Sequence, residues 1–306
     1  MRVALLAGGT GGAKLAAGMQ EVIGEELAVI ANTADDVEIH GLHVSPDPDL
    51  ITYWLSGEID EERGWGIRGD AFTTHERLVQ LGAPNWFQLS DRDLATCVYR
   101  THFIAEGGTL TGAQAQIARS LGVVARIYPM SEARVRTQVL TQGGRRGLQE
   151  FLILDLPEAP ILGIEVEGIV DARPTDDVLM ELAAADAIVI GPSNPVISIG
   201  PIVSLPGMRE AIAAAGVPVI AVSPFVAGRA VKGPTEKFMA AIGRASTAAA
   251  VGSLYEGVIH AMVVDADDPD PGPEDLRLLS CPTLMEGPRG RRDLAERVLE
   301  FAGTLA

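Results

Sequence analysis

Short apolar runs alternate with amphipathic stretches at both ends of the chain, and this alternation predicts its core. Arg2-Val3-Ala4-Leu5-Leu6-Ala7 is short and apolar, the pattern of a buried strand. Gly8-Gly9-Thr10-Gly11-Gly12 follows as a loop, residues 13–22 as a helix, and residues 27–31 as a second buried strand ending at Asn32. Strand, glycine turn, helix, strand is how a doubly wound parallel sheet begins. The alternation returns near Asp176. A helix over 178–184 precedes a strand over 187–190, a helix over 208–215 precedes a strand over 217–222, and helices over 236–242 and 247–255 precede a strand over 260–264. The Asp- and Pro-rich stretch 265–274 reads as a loop, and 293–302 as a closing helix.

Between these halves the pattern differs. Helices are predicted over 70–81, 91–105 and 111–121, with Asp70, Asp91 and Thr111 at or near their N-caps. Residues 135–141 and 148–154, separated by Gly143-Gly144-Arg145-Arg146-Gly147, predict a hairpin. The expected architecture is α/β: a Rossmann-like, doubly wound, mostly parallel sheet. Residues 1–36 and 176–306 form the nucleotide-binding core, and 37–175 an inserted helical and hairpin subdomain.

Composition narrows the function. The 306 residues carry 24 Lys and Arg against 41 Asp and Glu, a formal net charge of −17. A protein gripping nucleic acid through a general basic surface is thereby disfavoured, whereas one small phosphorylated ligand is not. Glycine is enriched, with 34 residues against an ordinary share of about 7%, which points to tight turns and close backbone approaches. Cys97 and Cys281 supply neither a disulfide scaffold nor a zinc spacing. No apolar run reaches the ~18 residues of a membrane span, and glycines from Gly8 onward interrupt any signal-peptide core. A cytoplasmic setting without membrane attachment is expected.

The chemistry gathers at predicted strand ends. After the first strand, Gly9, Thr10, Gly11 and Gly12 place bare amides at a helix N-terminus, a good phosphate cradle. Lys14 is flanked by Ala13 and Leu15, so the P-loop pattern fails. It also stands where the last glycine of the dinucleotide fingerprint belongs, and Asn32 replaces that fingerprint's ribose-binding acid. After the second strand, the adjacent Asp35 and Asp36 suit either Mg²⁺, a hard cation preferring oxygen, or a helix cap. Asp47 and Asp49 follow within Ser45-Pro46-Asp47-Pro48-Asp49, and His40 and His43 read as hydrogen-bonding or packing residues rather than metal ligands. Gly191-Pro192-Ser193-Asn194-Pro195 forms a rigid polar loop, and Arg229 and Lys232 bring positive charge after a further strand. In open α/β sheets ligands bind outside such strand ends. Asp91-Arg92-Asp93 opens a helix. Trp65 and Trp86-Phe87 form either an aromatic wall or the core of the insert, and Cys97 has no neighbouring base in sequence that would make it a nucleophile.

These same segments, from Gly8–Lys14 through Asn32–Asp36, His40-Gly41, Ser45–Asp49, Trp65-Gly66, Asp91–Thr96, Met130-Ser131-Glu132 and Gly191–Pro201 to Val231-Lys232-Gly233-Pro234, resemble the 2-phospho-L-lactate transferase family of coenzyme F-420 biosynthesis over residues 1 to about 265. Ser90 stands where the family usually has glycine, and Cys97 where it has histidine, which puts any role of that histidine in doubt. The resemblance implies a guanylyl-activated phospholactate or phosphoenolpyruvate donor and a deazaflavin acceptor. The acceptor's ribityl hydroxyl would attack the acid-bearing phosphorus, GMP would leave, and Mg²⁺ would be the cofactor. It further implies Asp35 and Asp49 as metal or hydroxyl-orienting groups, with Asp49, Asp91 and Arg92 near the deazaflavin. Gly9, Thr10, Gly11, Gly12, Lys14, Asn32, Ser193 and Asn194 would hold the guanylyl diphosphate, and a homodimer is implied. Two alternatives stay open: a non-enzymatic nucleotide-sugar-binding regulator of the same fold, disfavoured by Val37-Glu38-Ile39-His40 after the Asp pair, and an NAD-dependent oxidoreductase, disfavoured by Lys14 and Asn32.

Overall fold

A computed structural model describes residues 1–155 and 159–305. Seven parallel strands form the central sheet: β1 (Val3–Ala7), β2 (Leu27–Ala31), β3 (Arg126–Pro129), β4 (Ala187–Ile190), β5 (Val219–Val222), β6 (Ala261–Asp265) and β7 (Arg277–Cys281). Their order across the sheet is 3-2-1-4-5-6-7, so the winding reverses between β1 and β4. The five central strands are buried along their whole length. Successive side chains point to opposite faces. Val3, Leu5 and Ala7 join one core, with Leu15 and Met19 of α1 (Gly9–Ile23), Ile51 of α2 (Pro46–Ser56), and Leu294 and Val298 of the helix Gly287–Gly303. Ala4 and Leu6 join the other, beneath Leu182, Ile202, Ile212, Met239 and Val251.

The doubly wound α/β expectation holds, and every pairing in the central sheet is parallel. Two strands of the central sheet have no counterpart in the sequence pattern. β3 lies inside residues 37–175, yet it is the sheet's edge beside β2, so that span is not wholly an insertion. It is short, and ends in Pro129, which cannot extend the ladder. β7 is the opposite edge, mostly exposed, and its apolar residues are interrupted by Arg277 and Ser280.

The hairpin forms with a different partner. Arg136–Thr141 pairs with Gly144–Gly147, the segment read as the loop, while Gly163–Glu167 pairs on its other side. Residues 148–154 are instead helical, an α-turn Leu148–Glu150 running into a π-helical turn Phe151–Asp155. Leu148 and Phe151 bury against Val139 and Phe238, so tertiary packing overrides their apolar, strand-like composition.

Three helices fill the remainder of the inserted region: α3 (Thr73–Gln80), α4 (Asp91–Ala105) and α5 (Leu110–Ser120). Their caps are exchanged relative to the sequence reading. Asp70 accepts from the Arg92 amide at 2.8 Å, capping α4, while Asp91 accepts from the Thr74 amide at 2.9 Å, capping α3. Thr109, not Thr111, caps α5, and Glu132 accepts from the Leu110 amide at 2.7 Å.

Gly18 marks the crossing of α1 with the helix Gly287–Gly303. A Cβ there would lie 2.2 Å from the Arg291 carbonyl oxygen. Gly→Ala in an open helix interior stabilises by up to about 1 kcal/mol. Gly18→Ala is expected to reverse that sign and cost about 1–3 kcal/mol through overpacking, measured by urea unfolding.

Candidate active site

The loops after β1, β2, β4 and β5 converge at the carboxyl ends of the strands. Between them and the inserted region lies a cavity of about 860 Å³, within the range of a small-molecule site. One wall is the start of α1. The glycines read as a loop are its first turn, with Gly8 as the extended N-cap. The site uses them for close approach. A Cβ on Gly11 would meet the Pro192 carbonyl oxygen at 2.1 Å, and one on Gly12 would meet the Ser193 Oγ at 2.5 Å. The Gly8 amide donates to Ser193 Oγ at 3.2 Å, and the Gly9 amide donates to Asp47 Oδ1 at 2.5 Å. Those contacts lock α1 against the β4 loop, leaving the rest of its first turn, whose amides have no intrahelical acceptor, at the cavity wall.

Of the predicted residues, Gly9, Thr10, Gly11, Lys14, Asp35, Asp49, Ser193 and Asn194 line the cavity. Gly12 does not; it packs behind the wall. Asn32 also stands behind it, donating to Asp47 Oδ2 at 2.9 Å and accepting from the Ala34 amide. Asn194 turns its own loop by accepting from Val196 and Ile197 amides. Asp91 and Arg92 are outside the lining. Arg92 is half-exposed, donates to the Arg68 carbonyl at 2.8 Å and pairs with Asp70 at 3.4 Å. The helix that carries them instead contributes Asp93 to the cavity.

The electrostatic centre is acidic and buried. Asp35, Asp36, Asp47, Asp49 and Asp93 are each at most 9% exposed. Burial, then repulsion from Asp47 and Asp36, pushes Asp35 well above the ordinary carboxylate range. Burial raises Asp47 to about 6, against its bonds from Asn32 and Gly9. Burial also raises Asp49, with Arg100 pulling the other way. Asp36 accepts from His43 Nε2 at 2.7 Å and Ser45 Oγ at 2.9 Å, so His43 serves as a hydrogen-bonding residue here.

The chemistry of these donors bears on a magnesium ion. Asp35 Oδ1 and Asp49 Oδ2 are buried without a hydrogen-bond partner among the described residues, and the donors are carboxylate oxygens. Such a set fits a hard divalent cation. Asp49, Asp93 and Cys97 also bring ligand atoms within 4.8 Å of one another. Burial pushes the Cys97 thiol up, which disfavours a nucleophilic thiolate, and soft sulfur is a poor donor to a hard cation that prefers oxygen.

Several site residues escaped the sequence reading. Asp47 was noted only as part of an acidic patch, because its role depends on α2 beginning at Pro46. Arg100 sits seven residues after Asp93 on α4, a same-face spacing visible in sequence, but nothing local announces a buried arginine. Trp86, Phe87 and Trp65 line the cavity, so the aromatic-wall alternative describes their position.

Fold and site together define a doubly wound α/β protein with an acidic ligand cavity at its topological switch point. The sequence model of the 2-phospho-L-lactate transferase CofD family matches residues 3–275, and the chain belongs to that family of transferases. A phosphoenolpyruvate transferase of Streptomyces griseus is 38% identical over 313 residues, covering 99% of this chain and 98% of its own. A 2-phospho-L-lactate transferase of Methanosarcina acetivorans is 38% identical over 306 residues, covering 98% and 99%. A crystal structure of a UPF0052 family member from Bacillus halodurans shares the fold, with a TM-score of 0.64 at 16% identity, over 97% of this chain and 98% of that one. Among the described residues no helix is long and apolar enough to cross a membrane.

Asp93 yields a pH prediction. Burial first, then the Asp49 charge, raises it to about 7, while the Tyr53 hydroxyl donates to it at 2.7 Å. Between the unfolded value of about 3.9 and about 7 the folded chain holds a proton that the unfolded chain has lost. The stability Asp93 contributes is therefore present below about pH 4 and is lost as pH rises through about 7. Asp93→Asn keeps an acceptor for Tyr53 and removes the charge. It is expected to raise stability near pH 8 by up to a few kcal/mol, at about 1.4 kcal/mol per unit of pKa, with little gain near pH 4. Thermal melts across that range check this.

Proposed function

We propose that the chain transfers a 2-phospholactyl or enolpyruvyl phosphate group from a guanylyl diphosphate donor to a deazaflavin acceptor, 7,8-didemethyl-8-hydroxy-5-deazariboflavin. GMP is released, and the reaction belongs to coenzyme F-420 biosynthesis. Family membership and relatives named for both acids support the group transferred. The observation that carries the assignment of the site is the cluster of buried carboxylates facing a helix N-terminus and Lys14 across one cavity.

The ribityl hydroxyl oxygen forms a bond to the acid-bearing phosphorus as the bridging P–O bond breaks. GMP carries away that electron pair, and the hydroxyl proton passes to a carboxylate or water. No covalent intermediate with the protein is needed, so positioning and charge stabilisation supply the catalysis. The first turn of α1 at Thr10 and Gly11, with Lys14 and the Ser193–Asn194 loop, holds the diphosphate. Asp35 and Asp49 would hold Mg²⁺, which would supply charge neutralisation at the diphosphate. Trp65, Trp86 and Phe87 offer apolar surface to the deazaflavin ring. Arg92 and Asp91 act from outside the cavity lining, at the α3–α4 corner. The same reading has the chain working as a cytoplasmic homodimer.

Purified protein incubated with deazaflavin, Mg²⁺ and each guanylyl donor in turn is expected to give adduct and GMP by mass spectrometry. No adduct with either donor overturns the proposal, and nucleotide-sugar binding without GMP release favours a regulator instead. Asp35→Ala is expected to lower turnover at least about 100-fold while leaving thermal unfolding intact, because it removes a carboxylate whose burial disfavours its charge. Unchanged turnover would remove Asp35 from the metal site.

A further inference from the structure

Asp93, Cys97 and Arg100 are the buried residues of α4, spaced i, i+4 and i+7 on one face. Arg100 is 0% exposed, the largest fully buried side chain among the described residues. Its Nη2 donates to Asp49 Oδ1, and its Nη1 donates to the His43 carbonyl at 3.3 Å. Its Nε has no partner among the described residues. Asp49 lines the cavity and Arg100 does not, so the guanidinium stands behind the carboxylate.

A buried cation is a costly way to fill space. Desolvating each ion is unfavourable, and a buried pair often adds no stability over an apolar replacement of similar size. The pair does make a geometric difference. It anchors one oxygen of Asp49 through a donor that is itself tied to the backbone of the segment leading into α2. The other oxygen, Oδ2, is left buried and unpartnered. A carboxylate that must present one oxygen to a cation gains orientation from a donor on the opposite oxygen. Arg92 makes no such contact, although it is the arginine that the sequence singles out.

We propose that Arg100 is the positioning residue for Asp49, holding Oδ1 from behind so that Oδ2 is presented to the divalent cation in the cavity. The proposal rests on Asp49 being a cation ligand. Arg100 lies outside the cavity lining, and toward the cation it acts through this carboxylate.

The test is a double-mutant cycle read by Mn²⁺ binding in electron paramagnetic resonance, with thermal melts reporting the fold. Arg100→Gln is expected to weaken Mn²⁺ binding about 10- to 100-fold. In an Asp49→Asn background the same change is expected to add no further loss, since the carboxylate it positions is gone. A merely structural role would give the same loss in both backgrounds, and that result, or unchanged affinity in folded Arg100→Gln, overturns the proposal. If Arg100→Gln does not fold, Arg100→Lys carries the test. A single ammonium lacks the planar fork that serves both acceptors, so affinity should fall several-fold, and unchanged affinity again overturns the proposal. Wild-type protein that forms adduct yet binds no Mn²⁺ overturns the positioning role and the Asp49 ligand assignment together while leaving the transfer reaction standing.

Discussion

The site depends on one backbone approach, between the first turn of α1 and the loop after β4. At Gly11 a single methyl group would collide with the Pro192 carbonyl. Because no side chain intervenes, the helix N-terminus and the Ser193–Asn194 loop meet where the winding of the sheet reverses. Parallel strands on either side of that point send their following segments to opposite faces, which opens the crevice. Asp47 completes the junction by accepting the Gly9 amide and the Asn32 side chain together. The ends of β1, β2 and β4 are thus tied together.

Around that junction the chain buries carboxylates that repel one another. Each stays in place because something else requires it: Asp47 caps α1, Asp36 receives His43 and Ser45, Asp49 receives Arg100, and Asp93 receives Tyr53. The raised Asp35, Asp47, Asp49 and Asp93 show the electrostatic cost of gathering them in the apoprotein. Strain of this kind concentrates at functional sites, where a ligand of opposite charge offsets it. In the proposed reaction that opposite charge is a magnesium ion, which would also offset the diphosphate beside a chain of net charge −17.

Much of the fold was legible because buried parallel strands are continuously apolar. β1, β2, β4, β5 and β6 are such runs, whereas the edge strands β3 and β7 mix polar with apolar residues. The insert was harder. Its apolar residues serve both helix and hairpin, so Leu148 and Phe151 read as strand until the contact with Phe238 is known. The exchanged caps of α3 and α4 follow the same logic. Asp70 and Asp91 were recognisable as capping residues, but which helix each caps depends on how two helix starts lie side by side.

By itself the sequence determined the fold class, the glycine and Ser-Asn loops at the strand ends, Asp35 and Asp49, and the family likeness. All of these are local in the chain, or carried by motifs in order. Only the tertiary structure decided that Arg100 rather than Arg92 reaches the acidic cluster, and that Asp47 and Asn32 form a joint. It also decided that Gly11 and Gly12 serve packing. Such roles arise from contacts between residues 15 to 185 positions apart, and hydrophobic periodicity constrains which face of an element is buried, not which partner it meets.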